Sequence, residues 1–484
     1  MTGRIIIAGV FALLLASSVD GLADDVCRSA AVDKDYDAAL NEYADTLKSG
    51  LTDKEMSAFY KKRSEAARKK GLCDQAIVAY DRAIALDPKL ADLYFSRGCI
   101  YSDKKLFGPA IDDYSKAITL GRKDATTYIR RGIAYYKKET YDKAISDFSS
   151  AISIDPQNVA AYTNRGIAYF QKNDYEEALA DYDRALKIDP GVAAAYYNRA
   201  IAYSDKGFYD QAMADYNKAI ELEPQNAAAY VNRGVAERNK GLYDRAIADY
   251  DKAIGQDPKN APAYINRGVA ERNKGLYDRA VADYSKAIEL EPNNLVAYIN
   301  RGNAYYYAGQ YAPAKTDFAK AAEMDPGFGY AYLRLLNAIW ELKGDDTDVI
   351  KKLRKYVASN DAKGIILSVA EYYTAEGKVS EQHVLEQIAR DKDFKRRTEM
   401  LCQAYFFLGT KRLANGNEEG AAEYFTKSVE TNALECDEYY GSKAMLNRRA
   451  SQTHEIPRDE KIVFTSEHPE LPDYFRMPLQ LFYV

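Results

Sequence analysis

The chain has 484 residues, too many for one simple core unless the architecture is modular. It sets 67 Lys and Arg against 72 Asp and Glu, a net charge of −5. That excludes a general nucleic-acid binder, which needs a basic face to neutralise phosphates.

The N-terminus reads MTGRIIIAGVFALLLASSVDGLADD. Arg4 is a minimal charged region, Ile5 to Ala16 is an apolar run, and Gly21-Leu22-Ala23 offers small residues at the two positions a signal peptidase reads. Residues 1–23 are therefore expected to be a cleavable signal peptide. The run is shorter than the roughly 20 apolar residues that span a bilayer, and no other segment reaches that length. The expected mature chain is exported to a periplasm or secreted, and does not span the membrane. Five cysteines, Cys27, Cys73, Cys99, Cys402 and Cys436, follow the cleavage point without any C-x-x-C. Export permits disulfides, and the odd count leaves at least one thiol free or intermolecular.

Residues 24–56 read as a partial repeat or cap, in which DYDAALNEYADTL (35–47) is a lone second helix. From 57 to 328 the chain repeats eight times with period 34. Numbered so that Tyr is the fourth residue, the units align Tyr60, Tyr94, Tyr128, Tyr162, Tyr196, Tyr230, Tyr264 and Tyr298. Position 8 is mostly Gly, position 20 always Ala, and position 32 almost always Pro. Apolar or small residues at positions 4, 8 and 11, and again at 20, 24, 27 and 28, predict two amphipathic helices per unit. The KGLYD-type turn separates them, and Pro ends the second. The aromatic positions of this pattern account for most of the 42 Tyr.

This pattern resembles the tetratricopeptide repeat (TPR) family. The resemblance implies an all-α fold, a right-handed TPR superhelix (α-solenoid) of about eight regular helix pairs plus an irregular helical C-terminal region. First helices are expected to line its concave face.

Position 7 is Arg in all eight units and position 23 is Asp in seven. Arg131 with Asp147, Arg165 with Asp181, and Arg199 with Asp215 are expected to form a structural ion-pair ladder between helices. Position 6 is Asn at Asn164, Asn198, Asn232, Asn266 and Asn300. Relative to Ala, each costs about 0.6 kcal/mol in a helix, so something should offset them. The resemblance places position 6 in the groove, and some TPR superhelices grip an extended peptide backbone with such an Asn ladder. Apolar neighbours at positions 5 and 9, among them Tyr197, Ile133, Ile167, Ile201, Val235 and Val269, fit an interaction surface. Arg238 and Arg272 at position 12 form a basic patch suited to an acidic segment of a partner.

After Pro326 the period breaks, since Leu335 and Leu336 stand where Arg and Gly should be. Residues 329–401 read as irregular helices, 402–450 as one TPR-like unit followed by a capping helix from 436, and 451–484 as a Pro-rich tail that packs on the solenoid or occupies its groove. VAEYYTAEGKVSEQHVLEQI, AYFFLGTKRLANGNEEGAAEYFTKSVETN and EYYGSKAML in this part resemble the NlpI-type bacterial TPR lipoproteins. That resemblance implies a periplasmic adaptor with peptidoglycan hydrolases or an envelope protease as protein partners. Asp24-Asp25-Val26 before Cys27 is no lipobox, which argues against lipid anchoring. Cys402 and Cys436 both fall at position 1 of successive units, where equivalent Cα atoms come within disulfide reach, so a bridge between them is expected. Cys73 and Cys99 are either buried or, for one of them, paired with Cys27.

No H-E-x-x-H, G-x-S-x-G or phosphate-cradling Gly-Lys-[Ser/Thr] loop occurs. Only His383, His454 and His468 are present, and none sits in a repeated position. Neither a catalytic residue, a metal site nor a cofactor is expected. The sequence reads as an exported scaffold or adaptor that binds extended protein segments in its groove. The alternative is an envelope structural or glycan-binding protein in polysaccharide assembly or export.

Overall fold

The computed structural model describes residues 52–359, 364–375, 378–434 and 436–453. The signal peptide, the lone helix expected at 35–47, Cys27, and the tail from 454 onward with His454 and His468 lie outside the described residues. All regular structure among the described residues is helical. The chain divides into two compact units, one ending at Asn266 and one starting at Arg267.

Unit 1 contains α1 (Asp53–Lys69), α2 (Cys73–Leu86), α3 (Ala91–Asp103), α4 (Phe107–Thr119), α5 (Ala125–Lys137), α6 (Tyr141–Ile154), α7 (Val159–Gln171), α8 (Tyr175–Ile188), α9 (Ala193–Asp205), α10 (Tyr209–Leu222), α11 (Ala227–Asn239) and α12 (Tyr243–Gln256). They pack as successive helix pairs, each pair against the next. Helix α13 (Ala261–Asn273) crosses the boundary.

The repeat positions explain the pairing. Ala76, Ala110, Ala144, Ala178, Ala212 and Ala246 at position 20 are fully buried, because only a methyl group fits where the two backbones of a pair approach. Position 24 fills the rest of the pair with a ring, such as Tyr114, Phe148 or Tyr182, each at most 1% exposed. Most units carry a side-chain cap at the start of the first helix, and every unit a left-handed residue at the turn inside the pair. Asn158 and Asn226 accept hydrogen bonds from Ala161 N (3.0 Å) and Ala229 N (3.1 Å), starting first helices. At the turn inside the pair Gly241 takes φ 76°, and Lys105, Glu139 and Asn173 hold the same left-handed conformation in other units.

Unit 2 continues with α14 (Tyr277–Leu290), α15 (Leu295–Tyr307), α16 (Tyr311–Met324), α17 (Gly329–Glu341), α18 (Thr347–Ala358), α19 (Ile365–Thr374), α20 (Glu381–Ala389), α21 (Phe394–Ala414), α22 (Glu418–Glu430) and α23 (Asp437–Thr453). Helices α17 and α18 still form a pair on the 34-residue beat, although the signature is lost there. The reason is compensation across the pair. Leu336 replaces the usual Gly and is fully buried, while the ring position opposite it is Lys352. A different contact closes this pair, with Tyr356 against Gly329. One apolar core runs from Ile299 through Phe318, Leu336, Leu353, Val369 and Phe406 to Met445. None of the helices among the described residues is long and apolar enough to cross a membrane.

Candidate partner-binding face

In the seven units that have both, the Arg and Asp meet across the helix pair. In unit 1 Arg131 Nε and Nη2 donate to the two carboxylate oxygens of Asp147 at 2.8 and 2.7 Å. Arg165 grips Asp181 at 2.7 and 2.7 Å, and Arg199 grips Asp215 at 2.7 and 2.7 Å. The third guanidinium nitrogen reaches the preceding unit: Arg131 Nη1 donates to Ser115 Oγ at 3.0 Å, Arg165 Nη1 to Ser149 Oγ at 3.0 Å and Arg199 Nη1 to Asp183 Oδ1 at 2.5 Å. Each Arg therefore ties its own pair together and joins it to its neighbour. The planar fork of Arg makes this three-way contact; an ammonium cannot.

Positions 5, 6, 9 and 12 of the first helices form the other face, called the inner face here. In unit 1 Tyr197, Ile167 and Ile201 are buried there, and Ile133 and Val235 are half-buried. Tyr136 and Phe170 at position 12 are also half-buried. The Asn amides are turned into the chain. Asn198 Nδ2 donates to Ala194 O at 2.8 Å, Asn266 Nδ2 to Pro262 O at 2.9 Å, and Asn232 Nδ2 to the Tyr197 hydroxyl at 2.8 Å. Asn164 and Asn266 are 5% and 0% exposed. Intramolecular bonds thus satisfy donors that a bound peptide backbone would need, and they offset the helix cost of Asn without a ligand. Arg238 remains half-buried, with Nη1 donating to Asn266 Oδ1 at 3.2 Å.

Burial also shapes a carboxyl in unit 1. Glu237 replaces the Tyr usual at position 11, and its Oε2 has no hydrogen-bond partner. Desolvation, with Asp249 adding repulsion, pushes its pKa from 4.5 up to about 7.

In unit 2 the inner face is occupied. Helix α23 lies on it, a placement that sequence reasoning missed. The Asp437 carboxylate takes both Nη atoms of Arg272, Nη1 at 3.3 Å. The Tyr307 hydroxyl donates to Asp437 O at 3.3 Å, and Tyr330 donates to Glu438 Oε1 at 2.8 Å. Arg448 Nη2 donates to Tyr307 O at 2.9 Å and Tyr306 O at 3.3 Å, and Nη1 donates to the Tyr311 hydroxyl. Under this helix Arg334 is fully buried, its guanidinium 4.9 Å from the Tyr306 and Phe406 ring centres, 5.1 Å from Tyr307 and 5.4 Å from Phe318. Arg272 is accordingly 1% exposed and closed to an external segment, while Asn300 and Val269, at 7% and 8%, are buried to the same degree as Asn198 and Ile201 of unit 1. The available signal was Arg334 at position 6, where an Asn stands in earlier units, beside aromatic Tyr306 and Tyr307.

The expected Cys402–Cys436 bridge is not made: both thiols are free and buried. Each has a polar partner instead. Cys402 Sγ lies 3.5 Å from Ser428 Oγ, and the Cys436 thiol donates to Glu438 Oε2 at 3.1 Å. Burial, together with the Cys402 and Glu438 neighbours, pushes the Cys436 thiol well above its ordinary pKa. Cys73 is buried and disulfide-bonded, Cys99 is buried and free, and His383 is exposed.

A stack of consecutive helix pairs built on one repeated register is a helical-repeat scaffold. The chain belongs to the tetratricopeptide repeat family. Models described as tetratricopeptide repeat match residues 91–124, 159–192, 197–261, 261–294 and 296–328, and a TPR repeat model matches 65–105 and 134–172. Among solved structures, MamA is 29% identical over 34% of this chain and 96% of its own, with a TM-score of 0.33. YrrB, described as a TPR protein with an unusual peptide-binding site, is 25% identical over 38% of this chain and 95% of its own, TM-score 0.33. A tetratricopeptide repeat protein from Parabacteroides merdae is 23% identical over 51% of this chain and 98% of its own, TM-score 0.44. No curated protein matches the sequence.

Proposed function

We propose that this chain is an exported, non-catalytic scaffold that binds protein segments on the inner face of unit 1 and acts in the bacterial envelope. The observation that carries the reading is the seat of α23. In unit 2 this type of face already accepts a polypeptide, through side-chain contacts to an acidic residue and through close packing of Gly441 of α23 on the Tyr307 ring. Unit 1 offers Tyr136, Phe170, Ile133, Val235 and Arg238 on its own face, half-buried. Solenoids of this kind use such extended surfaces for binding.

Export rests on the apolar run and small-residue site in residues 1–23. The envelope role, with peptidoglycan hydrolases or a protease as clients, rests on the resemblance of the C-terminal third to NlpI-type adaptors. A photoreactive residue at Phe170 or Val235 tests the binding face, with exposed Glu221 as the control site. Protein adducts from envelope extract at the first two positions alone support the reading. Equal adducts at Glu221, or glycan adducts without protein, overturn it. Sequencing the N-terminus of the secreted chain tests export, which requires a start at Asp24.

A further inference from the structure

Residues 235–246 and 269–280 both read VAERNKGLYDRA. The two copies place an arginine, Arg238 or Arg272, at the same point of the inner face, and the next unit supplies the same amide. Arg238 Nη1 donates to Asn266 Oδ1 at 3.2 Å, and Arg272 Nη1 donates to Asn300 Oδ1 at 3.1 Å. Identical sequence and an identical anchor thus present two guanidinium groups in one pose.

Their remaining nitrogens differ. Arg272 turns Nη2 to the Asp437 carboxylate, and Asn273 Oδ1 beside it has no partner. Arg238 turns Nη2 and Nε to Asn239 Oδ1, at 3.2 and 3.4 Å. Asn239 is the counterpart of Asn273. In the occupied copy the guanidinium has left its neighbouring amide for a carboxylate; in the other copy it still rests on the amide. A charge-assisted bond to carboxylate is shorter and about twice as strong as a neutral one, so the amide contact is the weaker, replaceable one.

We infer that Arg238, anchored on Asn266, takes the carboxylate of an aspartate or glutamate in a protein segment bound to unit 1, as Arg272 takes that of Asp437. The inference rests on the reading that this face binds protein segments, and it names the chemistry that the segment must carry. Asp437 is already taken by Arg272, and in this inference the acid for Arg238 is supplied by a partner segment.

A random twelve-residue display library, selected on the full-length chain and on Arg238→Gln and Arg238→Glu, tests it. Thermal melts establish that both variants fold. The wild type is expected to enrich peptides with one acidic residue at a fixed distance from an apolar cluster. Arg238→Gln loses that acidic preference, and Arg238→Glu replaces it with Lys or Arg. The best peptide weakens about 10-fold in Arg238→Gln. Its own Asp→Asn version weakens alike, with no further loss when both changes are combined. If Arg238→Gln selects the same acidic peptides with the same affinity, or if the wild type selects peptides without an acid, the inference is overturned while the binding face stands. If the wild type selects no peptide, both fall.

Discussion

The Tyr182 ring lies 2.7 Å from the point where a β-carbon on Gly166 would stand. The two residues sit on the two helices of one unit, and the absent side chain of one makes room for the ring of the other. The same relation recurs between Gly132 and Phe148, Gly268 and Tyr284, and Gly409 and Phe425. Two of the eight units depart from it, with Ser64 facing Tyr80 and Ala200 facing Tyr216, and all four are buried. A methyl group is therefore tolerated by a small ring shift. Gly166→Ala is expected to change stability by less than about 1 kcal/mol, because helix propensity offsets the crowding. Gly166→Leu should cost about 3 kcal/mol, since the pair must open. Urea unfolding followed by circular dichroism separates the two.

The ion-pair ladder should respond unequally along its length. Asp181 is buried against Arg165, and removing it strands a half-buried guanidinium. Asp181→Ala is expected to cost about 3 kcal/mol. Asp183 carries the other bond of Arg199 but is 59% exposed, so Asp183→Ala should stay within about 0.5 kcal/mol. Arg165→Lys should lose most of what Asp181→Ala loses, because an ammonium cannot make the two-oxygen contact. Equal costs for Asp181→Ala and Asp183→Ala would refute this ranking.

Glu237 gives stability a pH dependence with a definite sign. Its pKa rises on folding from 4.5 to about 7, so between those values the native state holds a proton that the unfolded chain has lost. Stability then falls as pH rises through this window, and the full loss is felt above pH 7. Glu237→Gln removes the titrating group. The variant should melt above the wild type at pH 8, and the difference should vanish near pH 4. An unchanged difference across that range would show that Glu237 does not carry the effect.

Cys99, Cys402 and Cys436 are free and buried, and burial raises the Cys99 and Cys436 pKa values. A thiol that is both covered and protonated reacts slowly. Alkylation of the native chain, followed by peptide mapping, should leave all three unmodified, and unfolding in denaturant should expose them together. Recovery of a Cys402–Cys436 cross-linked peptide from the untreated chain would contradict the free thiols.

Arg334 is a buried cation inside four aromatic rings, and none of its three guanidinium nitrogens has a hydrogen-bond partner. Glu438, also buried, is the nearby negative charge that lowers its cost. Removing one charge strands the other, whereas replacing both by neutral groups leaves neither. Arg334→Met and Glu438→Gln should each destabilise the chain, and the double variant should recover at least half of the summed loss. A purely additive loss would mean that the two charges do not interact.

The repeat was legible because it is a local pattern written many times. Ala at position 20, Gly at 8 and a ring at 24 set the distance between two helices that are adjacent in sequence. The Arg and Asp partners are 16 residues apart in seven of the eight units, so their registered recurrence marked them as structural. The inner face was less legible. Position 6 announced a polar residue facing the groove, but the direction of each amide depends on what its own turn and the next unit offer. Asn198 finds a carbonyl four residues back, and Asn232 finds the hydroxyl of Tyr197.

By itself, then, the sequence determined the helix pairs, their order, their closest approaches and the ladder that binds them, because all of these are contacts within a unit or between consecutive units. Only the tertiary structure decided that α23 returns to α15 and α17, that Arg272 meets Asp437 across 165 residues, and that Cys402 and Cys436 are buried without joining. Contacts of that separation follow from the path of the whole unit, which no 34-residue period encodes. They decide that the chain's own helix α23 covers the inner face of unit 2 and takes Arg272.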